Sequence, residues 1–275
     1  MTDIEHALAH VRERIAEAAL RAGREPSQIT LVAVSKTVPV STILEAIDAG
    51  QCDFGENRVD EALPKIESVH RLTEVKLHPA QHKEYVTAPV LDAQHQSDST
   101  PVSLRWHLIG HLQSRKAKDV IGQFDLIHSI DSVRLAEVLD RRMAGLVAGI
   151  GRRQQDVLLE CNVSGEVTKS GFDLAGWERD AHKFDQFVAA VTRIQSLPTL
   201  RVLGLMTIAP IVEQPEQARP FFASLRMLRE ALVERLGGSP LPHLSMGMTD
   251  DFEAAIAEGA TIVRIGRAIF GPRQP

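Results

Sequence analysis

The sequence lacks several features that would restrict its function. It contains only two cysteines, Cys52 and Cys161, in 275 residues, too few for a disulfide framework, and a reducing, cytoplasmic location is expected. No apolar run is long enough to cross a membrane. A formal net charge of -5 indicates no general basic surface, so we do not expect nucleic acid as a partner.

Targeting signals and nucleotide-binding glycines are also missing. Residues 1–23 carry acidic residues early and lack a continuous apolar core, so we expect no signal peptide there. Apolar residues recur in this segment at helical spacing and predict an amphipathic helix. They are Ile4, Leu8, Val11, Ile15 and Ala19. No Gly-x-Gly-x-x-Gly follows the first apolar run, which argues against a dinucleotide-binding fold.

The sequence does contain a regular alternation of short apolar runs with helical patterns. Most runs lack polar–apolar alternation, as expected for parallel strands buried on both faces. The runs cover residues 29–35, 52–55, 104–109, 126–130, 157–163, 202–206, 243–246 and 262–265. Eight strand–helix units predict an α/β protein, a single (β/α)8 TIM-type barrel domain over residues 1–275 with an extra N-terminal helix. An open doubly wound sheet is the alternative.

One stretch interrupts this alternation. Residues 70–103 hold four of the eleven histidines and are rich in glutamine and serine, a composition typical of an inserted loop. The stretch leads into the third predicted strand, and such loops lie at the bottom of a barrel, away from the active site. We therefore expect no catalytic role for this insertion.

The loops after the seventh and eighth predicted strands form a candidate phosphate site. They contain "LSMGMTDD" and "VRIGRAIFG", and these two loops commonly bind phosphate in (β/α)8 barrels. Ser245 offers a hydroxyl, while Gly266 and Arg267 offer backbone N–H groups at the start of a short helix. The alternative is that Gly247, Gly266 and Gly271 serve only as turn residues.

Lys36 is the only charged residue in "ITLVAVSKTVPV", which contains the first predicted strand. A lysine amine attacks an aldehyde only when it is neutral, a state that burial or a nearby cation favours. Arg264, in the eighth strand, can supply that cation. A lysine beside a phosphate site leaves two classes open, a Schiff-base aldolase acting on a sugar phosphate and a pyridoxal 5′-phosphate (PLP) protein. The arginine favours PLP, whose ring nitrogen needs a partner.

Several longer motifs carry a resemblance to a known family. They are, in chain order, "VAVSKTVP", "FGENRVDEALPKI", "WHLIGHLQSRKAK", "HSIDSVRLAEVL", "CNVSGEVTKSGF", "GLMTIAP" and "LSMGMTDDFEAAIAEGATIVRIGRAIFG". This order resembles the pyridoxal phosphate homeostasis protein family over nearly the whole chain. The resemblance implies a PLP-binding barrel related to the N-terminal domain of alanine racemase.

The resemblance implies a role for each matching residue. Lys36 would bind PLP as a Schiff base. Arg264 would face the pyridine nitrogen and leave it unprotonated, because arginine stays charged. Ser245, Gly266 and Arg267 would hold the phosphate. Many family members have a small hydroxyl residue in place of Arg267, so this side chain either reaches the phosphate as a cation or points to solvent.

Three further residues are implied around the ring. Asn57 would lie beside the ring or its 3-hydroxyl, although it could also cap a helix over residues 58–68. Met206 would line the wall next to the ring, or else pack in the core. His111 would lie near the barrel mouth. His107 and His111 have a spacing that suggests metal ligands, but no cysteine or carboxylate accompanies them, so we expect no metal.

The resemblance also bears on catalysis. Alanine racemase needs a lysine and a tyrosine on opposite faces of the cofactor, whereas the single tyrosine, Tyr85, lies within residues 70–103. The sequence reaches Pro275 directly after the eighth unit, so we expect no second, β-rich domain. The expected role is a carrier or buffer in PLP, vitamin B6 and amino-acid homeostasis. Apo PLP-dependent enzymes are candidate partners, and a monomer or weak dimer is expected. The alternatives are a PLP-dependent amino-acid racemase or lyase of low activity, and an aldolase without PLP.

Overall fold

The computed structural model describes residues 2–73, 104–146 and 154–272. Its strands are β1 Thr30–Val34, β2 Asp53–Glu56, β3 Arg105–Leu108, β4 Leu126–Ile130, β5 Gln155–Asn162, β6 Phe172–Asp173, β7 Leu200–Met206, β8 His243–Ser245 and β9 Ile262–Ile265. Its helices are α1 Asp3–Arg21, α2 Val40–Asp48, α3 Val59–Thr73, α4 Ala117–Val120, α5 Val133–Ala144, α6 Ala181–Gln195, α7 Arg219–Arg235, α8 Phe252–Ala257 and α9 Arg267–Phe270.

The strands close into a barrel. Neighbours follow the order β4-β3-β2-β1-β9-β8-β7-β5-β6, and β4 also pairs with β5. Every pairing is parallel, including β1 with β9, where Val32 lies opposite Arg264. Eight strands therefore form a closed ring, which confirms the predicted (β/α)8 barrel and excludes the open sheet. The two-residue strand β6 pairs with β5 at the end of this order and was not predicted.

The barrel has two apolar layers. A small cluster fills its interior, formed by Val32, Leu126, Leu158, Leu203, Met206 and Ile262. A larger core lies between the strands and the surrounding helices and includes Leu159 and Cys161 of β5. Because side chains alternate along a strand, Leu158 points inward and Leu159 outward. Asp156 and Glu160 therefore share the inward face with Leu158.

The predicted N-terminal helix is α1. Its buried residues are Leu8, Val11, Ile15, Ala18 and Ala19, close to the predicted stripe. The helix packs against α8 and α9, and Arg14 donates to Glu253 of α8 from Nε at 2.8 Å. This extra helix thus covers the last strand–helix units of the barrel. Among the residues described here, no helix is long and apolar enough to cross a membrane.

The start of the predicted insertion differs from the expectation. Helix α3 continues to Thr73, so residues 70–73 are helical, and the His70 ring contacts Trp106 edge-on at 6.5 Å between centroids. Residues 74–103, including Tyr85, lie outside the described residues, so the boundaries and role of the insertion stay predictions.

Candidate functional site at the barrel mouth

Lys36 follows β1 at the C-terminal end of the barrel, where it is half-buried. The next residue, Thr37, has a φ of 63°, which is the left-handed region that β-branched residues avoid. Such strain persists only where the surrounding structure enforces it, and it concentrates at functional sites. The backbone therefore places Lys36 at a strained turn directly after a buried strand.

An ion pair on the outer face of the strands anchors this turn. Lys65 of α3 donates to the Ser35 carbonyl at 2.8 Å and to Glu56 Oε1 at 2.7 Å. Ser35 Oγ also donates to Glu56 Oε1, at 2.7 Å. Glu56 is fully buried, so its charge depends on Lys65 for compensation. The residue that precedes Lys36 is therefore held by a buried ion pair that sequence reasoning missed, although both partners lie within the quoted "FGENRVDEALPKI".

Arg264 lies inside the barrel on β9, the strand next to β1. Its guanidinium donates from Nη1 to Ser245 Oγ at 2.6 Å and from Nη2 to the Thr207 carbonyl at 2.8 Å. Burial lowers the pKa of Arg264 to about 10, although Asp251 and Glu160 act against this shift. Arg264 therefore stays cationic at neutral pH, on the strand adjacent to that of Lys36.

A chain of hydrogen bonds leads from Ser245 through the barrel interior. His128 Nδ1 lies 2.8 Å from Ser245 Oγ, His128 Nε2 lies 3.0 Å from His107 Nδ1, and His107 Nε2 lies 3.0 Å from Asp53 Oδ1. Arg105 binds the same carboxylate through two hydrogen bonds, of 2.6 and 2.5 Å.

The chemistry of Asp53 sets the direction of these hydrogen bonds. Burial raises its pKa, but hydrogen bonds from His107 and Arg105 outweigh burial and hold the pKa at about 2. An ionised Asp53 only accepts, so His107 Nε2 must donate and, in a neutral ring, Nδ1 must accept. His128 then donates from Nε2 and accepts from the Ser245 hydroxyl. Burial first, then His107, Arg264 and His243, lowers the pKa of His128 well below its ordinary value, consistent with a neutral ring.

The candidate phosphate cradle lies beside this network. Gly266 precedes α9 as its N-cap residue, and a Cβ there would approach both the Cβ and the carbonyl oxygen of Val34 to 3.4 Å. The first N–H groups of a helix have no intrahelical acceptors. The Arg267 side chain is exposed and pairs with Asp250. Ser245 is fully buried, with its hydroxyl in contact with Arg264 and His128, so a direct hydroxyl–phosphate contact stays a prediction.

The structure also places the three residues implied around the ring. Met206 is fully buried and belongs to the interior cluster. Asn57 follows β2 and is half-buried, and its carbonyl lies so close to Gly110 that a Cβ there would come within 2.3 Å. His111 is exposed after β3, with Nδ1 3.2 Å from Asp131 Oδ2. All three therefore lie in or near the mouth.

Glu160 is an inward-facing residue that sequence reasoning missed. It is only 7% exposed, and its Oε2 has no hydrogen-bond partner among the described residues. Burial and the nearby Asp131 raise the pKa of Glu160 to about 7, although Arg264 acts in the opposite direction. In the sequence, Glu160 is the only charged residue in the mainly apolar "VLLECNV". The same pattern, one charge in an apolar run, drew attention to Lys36.

The histidines that suggested a metal are separated in the fold. His107 is buried inside the barrel, whereas His111 is exposed in the loop that follows. Within residues 2–73, 104–146 and 154–272, no cluster of histidine, cysteine and carboxylate side chains could hold a metal ion.

Comparison with known proteins identifies the family. Residues 7–274 match the family described as alanine racemase, N-terminal domain. The pyridoxal phosphate homeostasis protein of Aquifex aeolicus (strain VF5) is 41% identical over 267 residues, covering 97% of each chain. That of Escherichia coli (strain K12) is 41% identical over 278 residues, covering 99% of this chain and 98% of the relative. The chain belongs to the pyridoxal phosphate homeostasis protein family.

A solved structure of a similar protein supports this family assignment. PipY of Synechococcus elongatus PCC7942, with PLP bound, is 34% identical with a TM-score of 0.69, over 95% of this chain and 100% of PipY. Family membership confirms the resemblance inferred from the sequence motifs.

The site in this family member has the features that PLP requires. A half-buried lysine can meet an aldehyde, a buried arginine can meet a ring nitrogen, and the backbone at Gly266 can meet a phosphate. Glu160 Oε2, which has no hydrogen-bond partner within residues 2–73, 104–146 and 154–272, adds a polar atom that can accept from a ligand. The arrangement of donors and glycine backbone therefore fits PLP.

Proposed function

We propose that the protein binds PLP at the barrel mouth, with Lys36 as the residue that joins the aldehyde, and that it holds and hands over this cofactor. The observation that carries the proposal is the position of Lys36, just after β1, and of the buried Arg264 on the adjacent strand β9, next to the start of α9. Bound PLP would supply a reactive aldehyde and an electron-accepting ring.

Each residue of the mouth has a defined part in this proposal. Lys36 supplies the amine, from a turn held by Lys65. Arg264 directs N–H groups toward the ring nitrogen and, being cationic, gives it no proton. Gly266 and Arg267 bind phosphate through backbone N–H groups, and Ser245 acts at least through Arg264, whose guanidinium it positions.

The remaining ring contacts follow from the placement of three side chains. Met206 supplies an apolar wall, Asn57 supplies an amide at the end of β2, and His111 lies at the rim. This arrangement keeps water from part of the ring and leaves the mouth open to an incoming molecule.

A carrier role is supported by the surface around the mouth. Several apolar side chains are exposed on loops that follow barrel strands, at Val167, Ile208, Ile211 and Met248. Side chains of this kind contribute to a protein contact where they adjoin one another in a single patch. We therefore propose apo PLP-dependent enzymes as acceptors of the cofactor, with the carrier acting as a monomer or weak dimer. Its two cysteines are free thiols, which supports a cytoplasmic location.

The decisive experiment measures the covalent link to Lys36. The protein is incubated with PLP, its visible absorption is recorded, borohydride is added, and the modified peptide is located by mass spectrometry. We expect the label on Lys36 in the wild type and no label at this position in Lys36→Ala. Lys118→Ala, which removes an exposed lysine of α4, is the matched control and should behave like the wild type. A wild-type protein that stays colourless with PLP would overturn the proposal in favour of the aldolase.

A second measurement separates a carrier from an enzyme. The PLP-loaded protein is incubated with individual amino acids while α-proton exchange and the enantiomer ratio are followed. Turnover at about 1 per second or faster would contradict the carrier role and support the racemase or lyase alternative.

A further inference from the structure

Glu160 lies across the barrel from Lys36. In the ring of strands, β5 is separated from β1 by β2, β3 and β4 on one side and by β9, β8 and β7 on the other, so the two strands are diametrically opposite. Glu160 is on the inward face of β5, near its C-terminal end. Its carboxyl group thus points into the barrel from the side that faces Lys36.

The surroundings of Glu160 leave its carboxyl group incompletely compensated. The groups that act on it are Asp131, which follows β4, and Arg264 of β9, while its partner on β7 is the uncharged Met206. Asp131 is itself within 3.2 Å of His111. Arg264 donates to Ser245 and Thr207. Glu160 is only 7% exposed, and its Oε2 has no hydrogen-bond partner in the part of the chain that the structure describes. A buried oxygen without a partner costs free energy, and a ligand donor would remove that cost.

We propose that Glu160 is a proton acceptor for primary amines that enter the barrel mouth and take the aldehyde from Lys36. This inference rests on the proposed PLP function. The ligand class is a primary amine, either the amino group of a free amino acid or the side chain of a protein lysine. Both arrive mainly as ammonium ions at neutral pH, and an ammonium ion cannot attack a carbon atom until it loses a proton.

The exchange balances in protons and bonds. The incoming ammonium group gives one proton to the Glu160 carboxylate. Its nitrogen then forms a bond to the aldehyde-derived carbon that Lys36 holds, and the bond between that carbon and the Lys36 nitrogen breaks. The departing lysine amine takes one proton back from Glu160. The carboxylate is thereby regenerated, and no electrons are transferred to or from another reactant.

Electrostatics suits Glu160 to this role. The shift of its pKa to about 7 gives a carboxyl group that exchanges protons near neutral pH, which is the property that a general base needs. A partly exposed acid such as Glu166, whose pKa is lowered by a hydrogen bond from Lys169, would stay ionised in the same range. The two residues lie on and just after the same strand, so they form a matched pair for experiment.

The first test uses the cofactor-free protein. Infrared difference spectra between the wild type and Glu160→Gln, recorded over a pH series, isolate the band of the protonated Glu160 carboxyl group. We expect this band to disappear with a midpoint near pH 7. A midpoint near the ordinary value of 4.5 would overturn the proposal.

The second test follows release of PLP from the loaded protein. Three probes are used at neutral pH: alanine, Nα-acetyl-lysine amide and hydroxylamine, which is largely uncharged there and needs no base. We expect Glu160→Gln to release PLP about 100-fold more slowly than the wild type with one or both ammonium probes, and at an unchanged rate with hydroxylamine. The ratio between the two ammonium probes shows whether a free amino acid or a lysine side chain is the better acceptor. Glu166→Gln should match the wild type with every probe.

The outcomes separate this inference from the proposed function. If the wild type takes up no PLP, both fail. If the wild type binds PLP and Glu160→Gln releases it at wild-type rates with both ammonium probes, only the role of Glu160 fails. If Glu160→Gln releases PLP more slowly by the same factor with all three probes, that role is also overturned, because the result indicates general damage to the mouth.

Discussion

Replacing Glu160 by Gln should make the stability of the cofactor-free protein less dependent on pH. The buried carboxyl group has a pKa of about 7 instead of 4.5, so the folded protein favours its protonated form. In the unfolded chain this group ionises near pH 4.5. Between these two values the folded state holds more protons, and the free energy of unfolding must therefore fall as pH rises.

The magnitude follows from the shift. Each pKa unit corresponds to about 1.4 kcal/mol, so the rise of roughly 2.5 units destabilises the wild type by about 3 kcal/mol above pH 7. This cost is absent below about pH 4.5. Glutamine has a similar shape and no titrating proton. The variant should thus gain about 2 to 3 kcal/mol over the wild type between pH 5 and pH 8.

Urea denaturation at a series of pH values measures this difference directly. Titration of the groups that do not interact with Glu160 occurs in both proteins and cancels in the comparison. Glu166→Gln provides the control, because the pKa of Glu166 is lowered and no gain between pH 5 and pH 8 is expected. A constant difference between Glu160→Gln and the wild type over this range would refute the assignment of a raised pKa to Glu160.

Three further substitutions test the framework of the site, each by urea denaturation. Lys65→Met should cost about 3 kcal/mol, because it leaves the buried Glu56 carboxylate without its cation; a change below about 1 kcal/mol would contradict the ion pair. Asp53→Asn should cost about 2 kcal/mol at pH 7, because the pKa of Asp53 is lowered from 3.8 to about 2. This stabilisation is complete above pH 3.8 and is lost as pH falls through about 2, so a deficit independent of pH would contradict it. Asp156→Asn, which removes a comparable ion pair with Arg201, is the control. Thr37→Gly should stabilise the folded protein by about 0.5 kcal/mol. Glycine relieves roughly 1 to 2 kcal/mol of left-handed backbone strain in the folded state, which exceeds the cost of about 0.4 to 1 kcal/mol from the greater entropy of the unfolded chain. A clear loss of stability would argue against strain at this turn.

The fold could be predicted because each barrel strand can be recognised from a short stretch of consecutive residues. Each barrel strand is buried on both faces, so it stands out as a short apolar run, and the eight runs correspond to the eight strands of the ring. Strand β6, with two residues, is too short to give such a signal. The beginning of β5 was also missed, because it contains Gln155 and Asp156, which are buried polar residues. Gln155 is accommodated there by a hydrogen bond from its amide to the Phe124 carbonyl at 3.1 Å, which sequence alone does not reveal.

The candidate site was predictable only where a residue stands at the end of a strand. Lys36 and Ser245 could be found in this way, since strand ends meet at one rim of a barrel. The interior network could not, because His128 and Ser245 are 117 residues apart and meet only when the ring closes. The contacts of the Ser245 hydroxyl with His128 and Arg264 were not predicted, and its contact with the phosphate stays a prediction.

Residues on the two faces of the strands affect Lys36 in different ways: those on the outer face fix its backbone position, and those on the inner face set the charges around it. On the outer face, Lys65 donates to the Ser35 carbonyl and Glu56 accepts from the Ser35 hydroxyl, and these contacts determine where the Lys36 backbone lies. On the inner face, Arg264 and Glu160 determine which charges an incoming ligand meets. Because inward and outward positions alternate along a strand, the protein can vary the charges inside the mouth without moving the lysine. A barrel that binds an aldehyde can thereby be tuned toward holding or toward release through its inward-facing positions alone.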